Sequence, residues 1–312
     1  MSENFVKEWI IDKEFDGLRI DYWLKKNFSS LSYPSLCKII RKGQLRVNKK
    51  RVKNSSLLNV GDQVKLYKII NEKKRIQKIQ SSYLEAIKSW VIFKDKNLII
   101  INKPPGIAVQ GGTKVTVNID SLLEYLKYDL NERPKLVHRI DKKTSGLLII
   151  ARTLRSAKFM GNIFKDRNIT KKYLLLVKGN LNKSRGKIDT PILINDKKIS
   201  STTNFELLKF FNGFSLVIAT PVTGRKHQIR NHFNSIGHPI VGDDKFGDKD
   251  NKNFYLHSFY VRFYNQENKL IELFADPPAF FKNQIELTKI SINKIKQNIE
   301  KDNDRNSNKK NR

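Results

Sequence analysis

The stretch LVHRIDKKTSGLLIIAR, residues 136–152, places a single carboxylate, Asp141, in a strongly basic setting. Its basic neighbours are His138, Arg139, Lys142 and Lys143. A nearby guanidinium lowers a carboxylate pKa by roughly 1–3 units, so Asp141 should be ionised at neutral pH. An ionised carboxylate can attack carbon or remove a proton, but it cannot serve as a general acid. On these residues alone, a turn or helix-cap role for Asp141 stays open.

Other chemistries lack the residues that they need. Glycoside hydrolysis uses two carboxylates, and Glu132 is the one other acid within ten residues of Asp141. The histidines have no zinc-type spacing; they are His138, His227, His232, His238 and His257. The sequence has no Gly-rich phosphate loop, no GxSxG and no Cys/His nucleophile pair. What remains on these residues is one ionised carboxylate, available for chemistry or for a structural role, in a sequence without metal or nucleotide motifs.

The elements around Asp141 indicate a fold with many strands. GLLIIAR is typical of a strand buried on both faces, and KKYLLLVKG, TNFELLKFF, FSLVIATP and FYLHSFYVRFY also read as strands. Helical periodicity occurs in VNIDSLLEYLKYDL, LRSAKFMGNIFKDR and GRKHQIRNHFNSIG, the last entered through Gly224. Strands with few, dispersed helices predict an α+β fold around a mixed or antiparallel sheet.

The charge balance points to a polyanionic partner. The chain has 61 Lys+Arg against 30 Asp+Glu, a net charge of +31, which favours nucleic acid. An AT-rich bacterial genome, which inflates Lys, Asn and Ile, is the alternative explanation. One cysteine, Cys37, fits a reducing cytosol. There is no apolar run of about 18 residues and no signal-peptide pattern, so we expect a cytoplasmic protein without a membrane partner.

The N-terminal part is predicted to be a small α/β unit. A helix over Ser32 to Lys42 precedes the alternating strands QLRVNKKRV and QVKLYKI. Basic residues cluster on this helix and the following turn and strand, and we call them the basic face: Lys38, Arg41, Lys42, Arg46, Lys49, Lys50, Arg51 and Lys53. A basic face of this kind tracks phosphates, although a solvated surface has the same composition. The stretch SLCKIIRKGQLRVNKKRVKNSSLLNVGDQVKL resembles the RNA-binding domain first seen in ribosomal protein S-four.

Composition shifts divide the chain into four expected segments. Residues 1–70 form the S-four-like domain, and residues 71–88 form a basic linker. Residues 89–290 form the catalytic domain. Residues 291–312 are polar and are expected to be a disordered tail.

Four sequence blocks, in order, carry a resemblance to a known enzyme family. HRIDKKTSGLLIIAR resembles the signature of the RluA-type pseudouridine synthases, His-Arg-Leu-Asp-x-x-Thr-Ser-Gly before a buried strand. INKPPGIAVQGG, KKYLLLVKG and PVTGRKHQIRNHFNSIGHPIVGDDKFG resemble the other family blocks. The resemblance covers about residues 90 to 280, and it implies a pseudouridine synthase catalytic domain.

The resemblance implies a role for individual residues. Asp141 matches the catalytic aspartate, Tyr173 the tyrosine that packs on the flipped uracil, and Arg230 the arginine that pairs with the aspartate. Arg139 matches the arginine that enters the RNA stack. Lys103, Arg225 and His227 are candidate contacts to substrate, and each also has a structural alternative.

The implied reaction breaks the C1′–N1 bond of uridine and joins C5 to C1′, with no cofactor and no metal. Asp141 could attack C1′ to form an ester or remove a C2′ proton to form a glycal; both routes stay open.

The implied substrate is 23S ribosomal RNA of the large subunit. VQGGTKVTVNIDSLLEYLK and IIRKGQLRVNKKRVK look most like the C-type bacterial branch of the family. The D-type paralogue, with different sites in that RNA, and a non-catalytic RNA-binding assembly factor are the alternatives. We expect a monomer.

Overall fold

A computed structural model describes residues 7–28, 31, 33–67, 81–111, 117–194, 196–247 and 253–310. The chain divides into two compact units, Met1–Lys78 and Ile79–Arg312. Within the described residues, no helix is long and apolar enough to cross a membrane.

The first unit is a small antiparallel sheet covered by two helices. Its elements are β1 (Lys7–Ile10), α1 (Ile20–Asn27), α2 (Tyr33–Arg41), β2 (Leu45–Val47), β3 (Lys50–Arg51) and β4 (Gln63–Leu66). The strand order is β1-β4-β2-β3. Trp23, Leu36 and Leu45 are buried in its core because apolar residues recur at helical spacing in α1 and α2 and at alternate positions in the strands. The sequence predicted α2 and the strands; its proposed cap, Ser32, lies outside the described residues.

The basic face is presented by α2 and the β2–β3 hairpin. Asn48 and Lys49 form the two-residue turn, with φ of +48° and +66°, as a hairpin turn of this length requires. Seven of its eight side chains are exposed: Lys38, Arg41, Lys42, Lys49, Lys50, Arg51 and Lys53. The eighth, Arg46, is half-buried and lies 5.1 Å from the centre of the Tyr67 ring.

The second unit is built on one large sheet. Its helices are α3 (Ser81–Ser89), α4 (Ile119–Leu122), α5 (Leu154–Lys165), α6 (Gln228–Ser235), α7 (Ala279–Leu287) and α8 (Ile292–Lys310). Its strands are β5 (Val91–Lys94), β6 (Leu98–Lys103), β7 (Lys135–Leu136), β8 (Ser145–Ala151), β9 (Ile169–Lys178), β10 (Arg185–Ile188), β11 (Ile192–Ile194), β12 (Lys197–Ile199), β13 (Thr203–Phe211), β14 (Phe214–Pro221), β15 (Leu256–Tyr264) and β16 (Leu270–Phe274).

The order of strands brings distant motifs to the centre of this sheet. The order is β10-β13-β14-β9-β15-β8-β6-β5, with β16 added to β15 and β7 to β8. Of the strand pairs in the described residues, β15 and β8 alone run parallel. The mixed sheet expected from the sequence is confirmed. The strand β8, which follows the Asp141 loop, is separated only by β15 from β9, which carries Tyr173.

Apolar residues cover both faces of the sheet, as the unbroken apolar runs in its central strands require. Helix α6 packs Phe233 on one face against Leu175 and Val217. On the opposite face, α7 and α8 pack Phe281 and Ile299. These layers hold the site-bearing strands rigid.

Two boundaries differ from the sequence expectations. The expected linker continues into α3, whose Ile87 is fully buried against the second unit; residues 71–80 lie outside the described part. The expected disordered tail forms α8, where Ile295 and Ile299 are buried. The disorder expectation for the tail was wrong because two isoleucines spaced i,i+4 give a polar helix an apolar stripe to bury.

Candidate active site

Asp141 lies in the loop that leads into β8, and backbone hydrogen bonds fix this loop. The amide of Thr144 donates to the Asp141 carbonyl at 3.1 Å. The Lys142 carbonyl accepts from the amide of Gly106 at 2.9 Å and from Lys103 Nζ at 3.2 Å. The loop that carries Asp141 is therefore held by hydrogen bonds to residues at the end of β6 and just after it.

Gly146 explains the Thr-Ser-Gly turn that follows Asp141. Its φ is +103°, and a Cβ placed there would lie 2.2 Å from the carbonyl oxygen of Ser258 in β15. Only glycine accepts both this backbone conformation and this approach. Beside it, Ser145 Oγ lies 2.8 Å from Nδ1 of His257, whose Nε2 donates to the Ala275 carbonyl. The β8–β15 junction therefore fixes where the Asp141 loop begins.

The Asp141 carboxylate meets two side chains from α6 and its start. Arg230 Nη1 donates to Oδ2 at 3.0 Å, and His227 Nδ1 lies 2.9 Å from the same oxygen. The side chain of Asp141 retains 20% of its exposure, so it still faces the cavity. Burial acts to raise the pKa of Asp141, but the hydrogen bonds and charges of His227 and Arg230 outweigh burial and hold that pKa below its ordinary value. The carboxylate is thus ionised and aimed.

Arg230 is itself clamped by a buried acid. Its Nε and Nη2 donate to the two oxygens of Asp243 at 2.8 and 2.7 Å, a bidentate pair. Asp243 has no solvent exposure, and its Oδ1 also accepts from the amides of Lys245 and Phe246. Burial opposes the charged form of Arg230, but its hydrogen bonds to Asp243 and Asp141 prevail and raise its pKa. Arg230 therefore connects the buried carboxylate of Asp243 to the carboxylate of Asp141.

The backbone before α6 sets the direction of His227 and Arg230. His227 occupies the N-cap with φ of +54°, so the helix begins at Gln228 and not near Gly224 as the sequence predicted. Gln228 Oε1 accepts from the Arg225 amide and from the Thr223 hydroxyl. These contacts fold the Thr-Gly-Arg-x-His-Gln segment back on itself at the start of the helix. Because His227 and Arg230 are three residues apart, their side chains lie on the same side of the helix.

Tyr173 is held on β9 across from Ser258, in the same row as Gly146. Burial raises the pKa of its hydroxyl to about 12, with a further contribution from the charge of Asp141 and an opposing hydrogen bond to Ser258. The phenol stays neutral, so its ring offers an apolar face for stacking.

These residues surround one cavity of about 540 Å³. Its lining includes Asp141, Tyr173, Arg230, His227, Arg139 and Arg225. The volume is within the range of small-molecule sites, and the side chains of Arg139 and Arg225 are exposed. A base that leaves an RNA stack could enter it. Within the described ranges, no three His, Cys, Asp or Glu side chains form a group that could hold a metal ion.

Lys103 does not line the cavity. It is fully buried, and its ammonium donates to the carbonyls of Pro104, Ile107 and Lys142. Burial lowers its pKa to about 7, and the charge of Asp141 opposes that shift. Its position behind the loop argues against the predicted contact with substrate, since a buried ammonium already holding three carbonyls cannot also reach RNA.

A smaller cleft of about 360 Å³ adjoins the Asp141 loop and shares Asp141, His227 and Arg230 with the cavity. The exposed cations Arg139, Lys142 and Lys226 line it. Lys143 also lines it, but its Nζ is 3.0 Å from Asp244 Oδ2. The cleft is therefore a mainly basic groove beside the carboxylate of Asp141.

The structure brings together six of the residues predicted for the site and separates others. Asp141, Tyr173, Arg230, His227, Arg139 and Arg225 line one cavity, whereas Lys103 lies behind it and the basic face belongs to the first unit. Sequence reasoning missed Asp243. Its signal was present in VGDDKFG, two acids inside an otherwise basic block, but no local pattern tells which of the two is buried.

Comparison with known proteins identifies the chain. A sequence model of the family described as "RNA pseudouridylate synthase" matches residues 97–235, which include Asp141, Tyr173 and Arg230. "Ribosomal large subunit pseudouridine synthase C" of Rickettsia conorii is 36% identical over 284 residues, spanning 81% of this chain and 92% of that relative. The chain belongs to the RNA pseudouridylate synthase family. The family predicted from the motifs is confirmed, and with it the assignment as an RNA-modifying isomerase.

Further relatives and solved structures of this pseudouridylate synthase agree. The protein of the same name from Vibrio parahaemolyticus is 32% identical over 279 residues, 83% of this chain and 88% of the relative. "Human RNA Pseudouridylate Synthase Domain Containing 4" shares the fold with a TM-score of 0.59 and 24% identity, over 68% of this chain and 97% of that chain. "Human RNA Pseudouridylate Synthase Domain Containing 1" has a TM-score of 0.52 and 25% identity, over 60% and 83%.

Proposed function

We propose that this pseudouridine synthase modifies uridines of large-subunit, 23S ribosomal RNA, with Asp141 as the catalytic carboxylate. The names of the curated relatives support the RNA class. The observation that carries the role of Asp141 is its geometry: one ionised carboxylate, held at 3.0 Å by Arg230, faces a cavity that also contains Tyr173.

Asp141 acts on the sugar of the target uridine. Because its pKa is lowered, it is available as a nucleophile at C1′ or as a base toward the C2′ proton. Arg230 positions the carboxylate and balances its charge, and His227 holds the same oxygen. Both routes place the same demand on the protein, namely a carboxylate fixed in position beside the sugar.

The target uridine has to leave the RNA stack to reach Asp141. Extrusion costs a few kcal/mol, which stacking of the uracil on Tyr173 offsets by about 1–3 kcal/mol. Arg139, exposed at the cavity, fills the gap left in the stack. Arg225, also exposed, contacts the RNA beside it.

Two basic surfaces hold the RNA backbone. In the second unit, Lys142 and Lys226, which line the smaller cleft, contact the RNA backbone next to the flipped nucleotide. In the first unit, the basic face contributes phosphate contacts as an S-four-like domain. Because Asp141, Tyr173 and Arg230 all come from one chain, a monomer suffices, and the enzyme works in the cytoplasm where ribosomal RNA is assembled.

The alternatives are less well supported. A non-catalytic assembly factor has no use for an ionised Asp141 clamped through Arg230 to Asp243. A D-type substrate choice is disfavoured by the names of the relatives, which specify the C-type enzyme.

Pseudouridine mapping on large-subunit RNA tests the proposal. Cells lacking the gene are complemented with wild type, Asp141→Asn or Lys143→Gln. We expect specific pseudouridines to vanish in the deletion, return with wild type and Lys143→Gln, and stay absent with Asp141→Asn, although that variant still binds RNA. If Asp141→Asn restored the missing pseudouridines, Asp141 would not be the catalytic carboxylate. If the deletion left the pseudouridine map of large-subunit RNA unchanged, that RNA would not be the substrate.

A further inference from the structure

Lys171 is a cation inside the cavity that the family assignment leaves without a task. It lies on β9 two residues before Tyr173, and side chains two apart on a strand project from the same face. Both residues line the cavity. Lys172, between them, projects from the opposite face, where burial lowers its pKa and the charges of Asp302 and Glu206 oppose that shift.

Two uncharged rings lie beside Lys171, and Lys165 and Arg167 line the same cavity. Lys171 Nζ lies 5.5 Å from the centre of the Phe164 ring, and His138 stacks on the same ring with centroids 4.8 Å apart. His138 Nε2 accepts from the Ile149 amide, and burial together with the charge of Lys171 lowers the pKa of His138 to about 3, so the imidazole is neutral. In the described part of the chain, the ammonium of Lys171 has neither a carboxylate partner nor a hydrogen bond.

An ammonium in this position is costly to the protein alone. Burial lowers its pKa, which means that the folded enzyme stabilises the charge less well than water does. Buried charges are normally paired, and a perturbed cation without a partner in a cleft is a candidate for contact with a ligand. The missing partner should be an acceptor oxygen that arrives with the substrate.

We propose that Lys171 donates a hydrogen bond to carbonyl oxygen O4 of the flipped uracil. This inference rests on the proposed stacking of that base on Tyr173. Tyr173 pairs with Ser258, which pairs in turn with Gly146 beside the Asp141 loop, whereas Lys171 pairs with Val261 farther along β15. Lys171 therefore lies farther from Asp141 than Tyr173 does, toward the end of the cavity away from the sugar. In uracil, O4 is the acceptor farthest from the glycosidic bond.

The contact serves both selection and catalysis. Cytosine carries an amino group at position 4, which presents donors and cannot accept from an ammonium, so Lys171 favours uracil. When the C1′–N1 bond breaks, its electron pair passes to N1, and the negative charge spreads over O2 and O4. Lys171 then faces more negative charge than in the ground state, which lowers the barrier. Lys171 keeps its proton while C5 bonds to C1′, and the proton that C5 then loses is matched by the proton that N1 takes up, so the product is an isomer of the substrate.

Single-turnover kinetics with enzyme in excess test the catalytic part. Lys171→Met should slow pseudouridine formation about 100-fold, the usual loss for one transition-state donor. Lys171→Arg, which keeps the charge, should recover part of the rate. Lys172→Met, the matched control on the opposite face, should stay within about threefold of wild type because Lys172 does not line the cavity. If Lys171→Met does not fold, Lys171→Gln replaces it.

Binding to RNA that carries uridine or cytidine at the target position tests selection. Wild type should prefer uridine, and Lys171→Met or Lys171→Gln should lose that preference. An unchanged rate with an unchanged preference would overturn the proposal. Equal weakening toward both RNAs with a normal rate would also overturn it, because Lys171 would then contact a phosphate. Absence of pseudouridine with wild type would instead refute the proposed function.

Discussion

Replacing Asp243 with Asn should damage both stability and catalysis through Arg230. In the wild-type protein, Asp243 Oδ1 accepts from Arg230 Nη2 and from the amides of Lys245 and Phe246, while Oδ2 accepts from Arg230 Nε alone. The asparagine oxygen will occupy the Oδ1 position, where three donors meet. Its amide nitrogen then faces Nε, so a donor opposes a donor.

The size of the effect follows from those contacts. The substitution removes one charge-assisted hydrogen bond, worth about 1.5–3 kcal/mol, and leaves a buried guanidinium short of an anion. Breaking a buried ion pair by changing one partner costs roughly 3–5 kcal/mol, so we expect a loss of stability in that range. Arg230 also loses the contact that fixes its aim toward Asp141, and a displacement of about 1 Å can reduce the rate about 100-fold.

Asp244→Asn is the matched control. Asp244 is the next residue and also an acid, but its side chain is 55% exposed and lies 3.9 Å from Arg230. Its replacement should change stability by no more than about 0.5 kcal/mol. Urea unfolding and single-turnover pseudouridine formation are measured for both variants. Equal unfolding midpoints and equal rates for the two would show that the buried clamp does not position Arg230.

Three further outcomes are expected. Gly146→Ala should destabilise the second unit severely, because the new Cβ would collide with the backbone of β15. Gly161→Ala in α5, which has open space around it, should instead stabilise the protein by about 0.4–1 kcal/mol. Thermal unfolding that ranks the two variants in the other order would contradict the close approach of β15 to Gly146. His138 has a folded-state pKa of about 3 against an ordinary 6.5, so the unfolded chain binds its proton first and stability should fall as pH drops from about 6.5 toward 3, by at most about 1.4 kcal/mol per pH unit. Urea unfolding of His138→Gln should show a shallower decline, and an identical pH profile would refute this. Lys142→Gln should reduce the slope of log binding constant against log salt concentration by somewhat under one unit. Lys143→Gln should reduce that slope less, because Lys143 is already paired with Asp244. Equal slopes for the two variants would show that the RNA backbone does not lie against Lys142.

Local pattern sufficed for the family and for most strands. The motif around Asp141 and the block around Arg230 are each contiguous in sequence, so their resemblance to the family could be seen without knowledge of the fold. The apolar runs of β8, β9 and β14 identify buried strands because few other elements tolerate such runs over so short a length.

Local pattern failed where burial depends on a distant partner. Residues 291–312 looked disordered because their composition is polar, yet the two isoleucines of α8 find an apolar sheet face. Lys103 looked accessible because lysines usually are, yet three carbonyls and the loop enclose it. The helix expected from Gly224 starts at Gln228, since a side-chain contact and not a propensity decides its first turn.

The sequence motifs, through their resemblance to a known family, were enough to predict the candidate carboxylate, the side chains around it and the reaction class. How these groups act together depends on the tertiary fold. Arg230 meets Asp141 across 89 positions of sequence, and Asp243 meets Arg230 from a separate turn. Lys171 and Lys172 are chemically identical neighbours, but the strand turns one toward the cavity and the other toward acids on the opposite face. The physical reason is that charge and hydrogen bonding act over a few ångströms of space, whereas sequence records only the order along the chain.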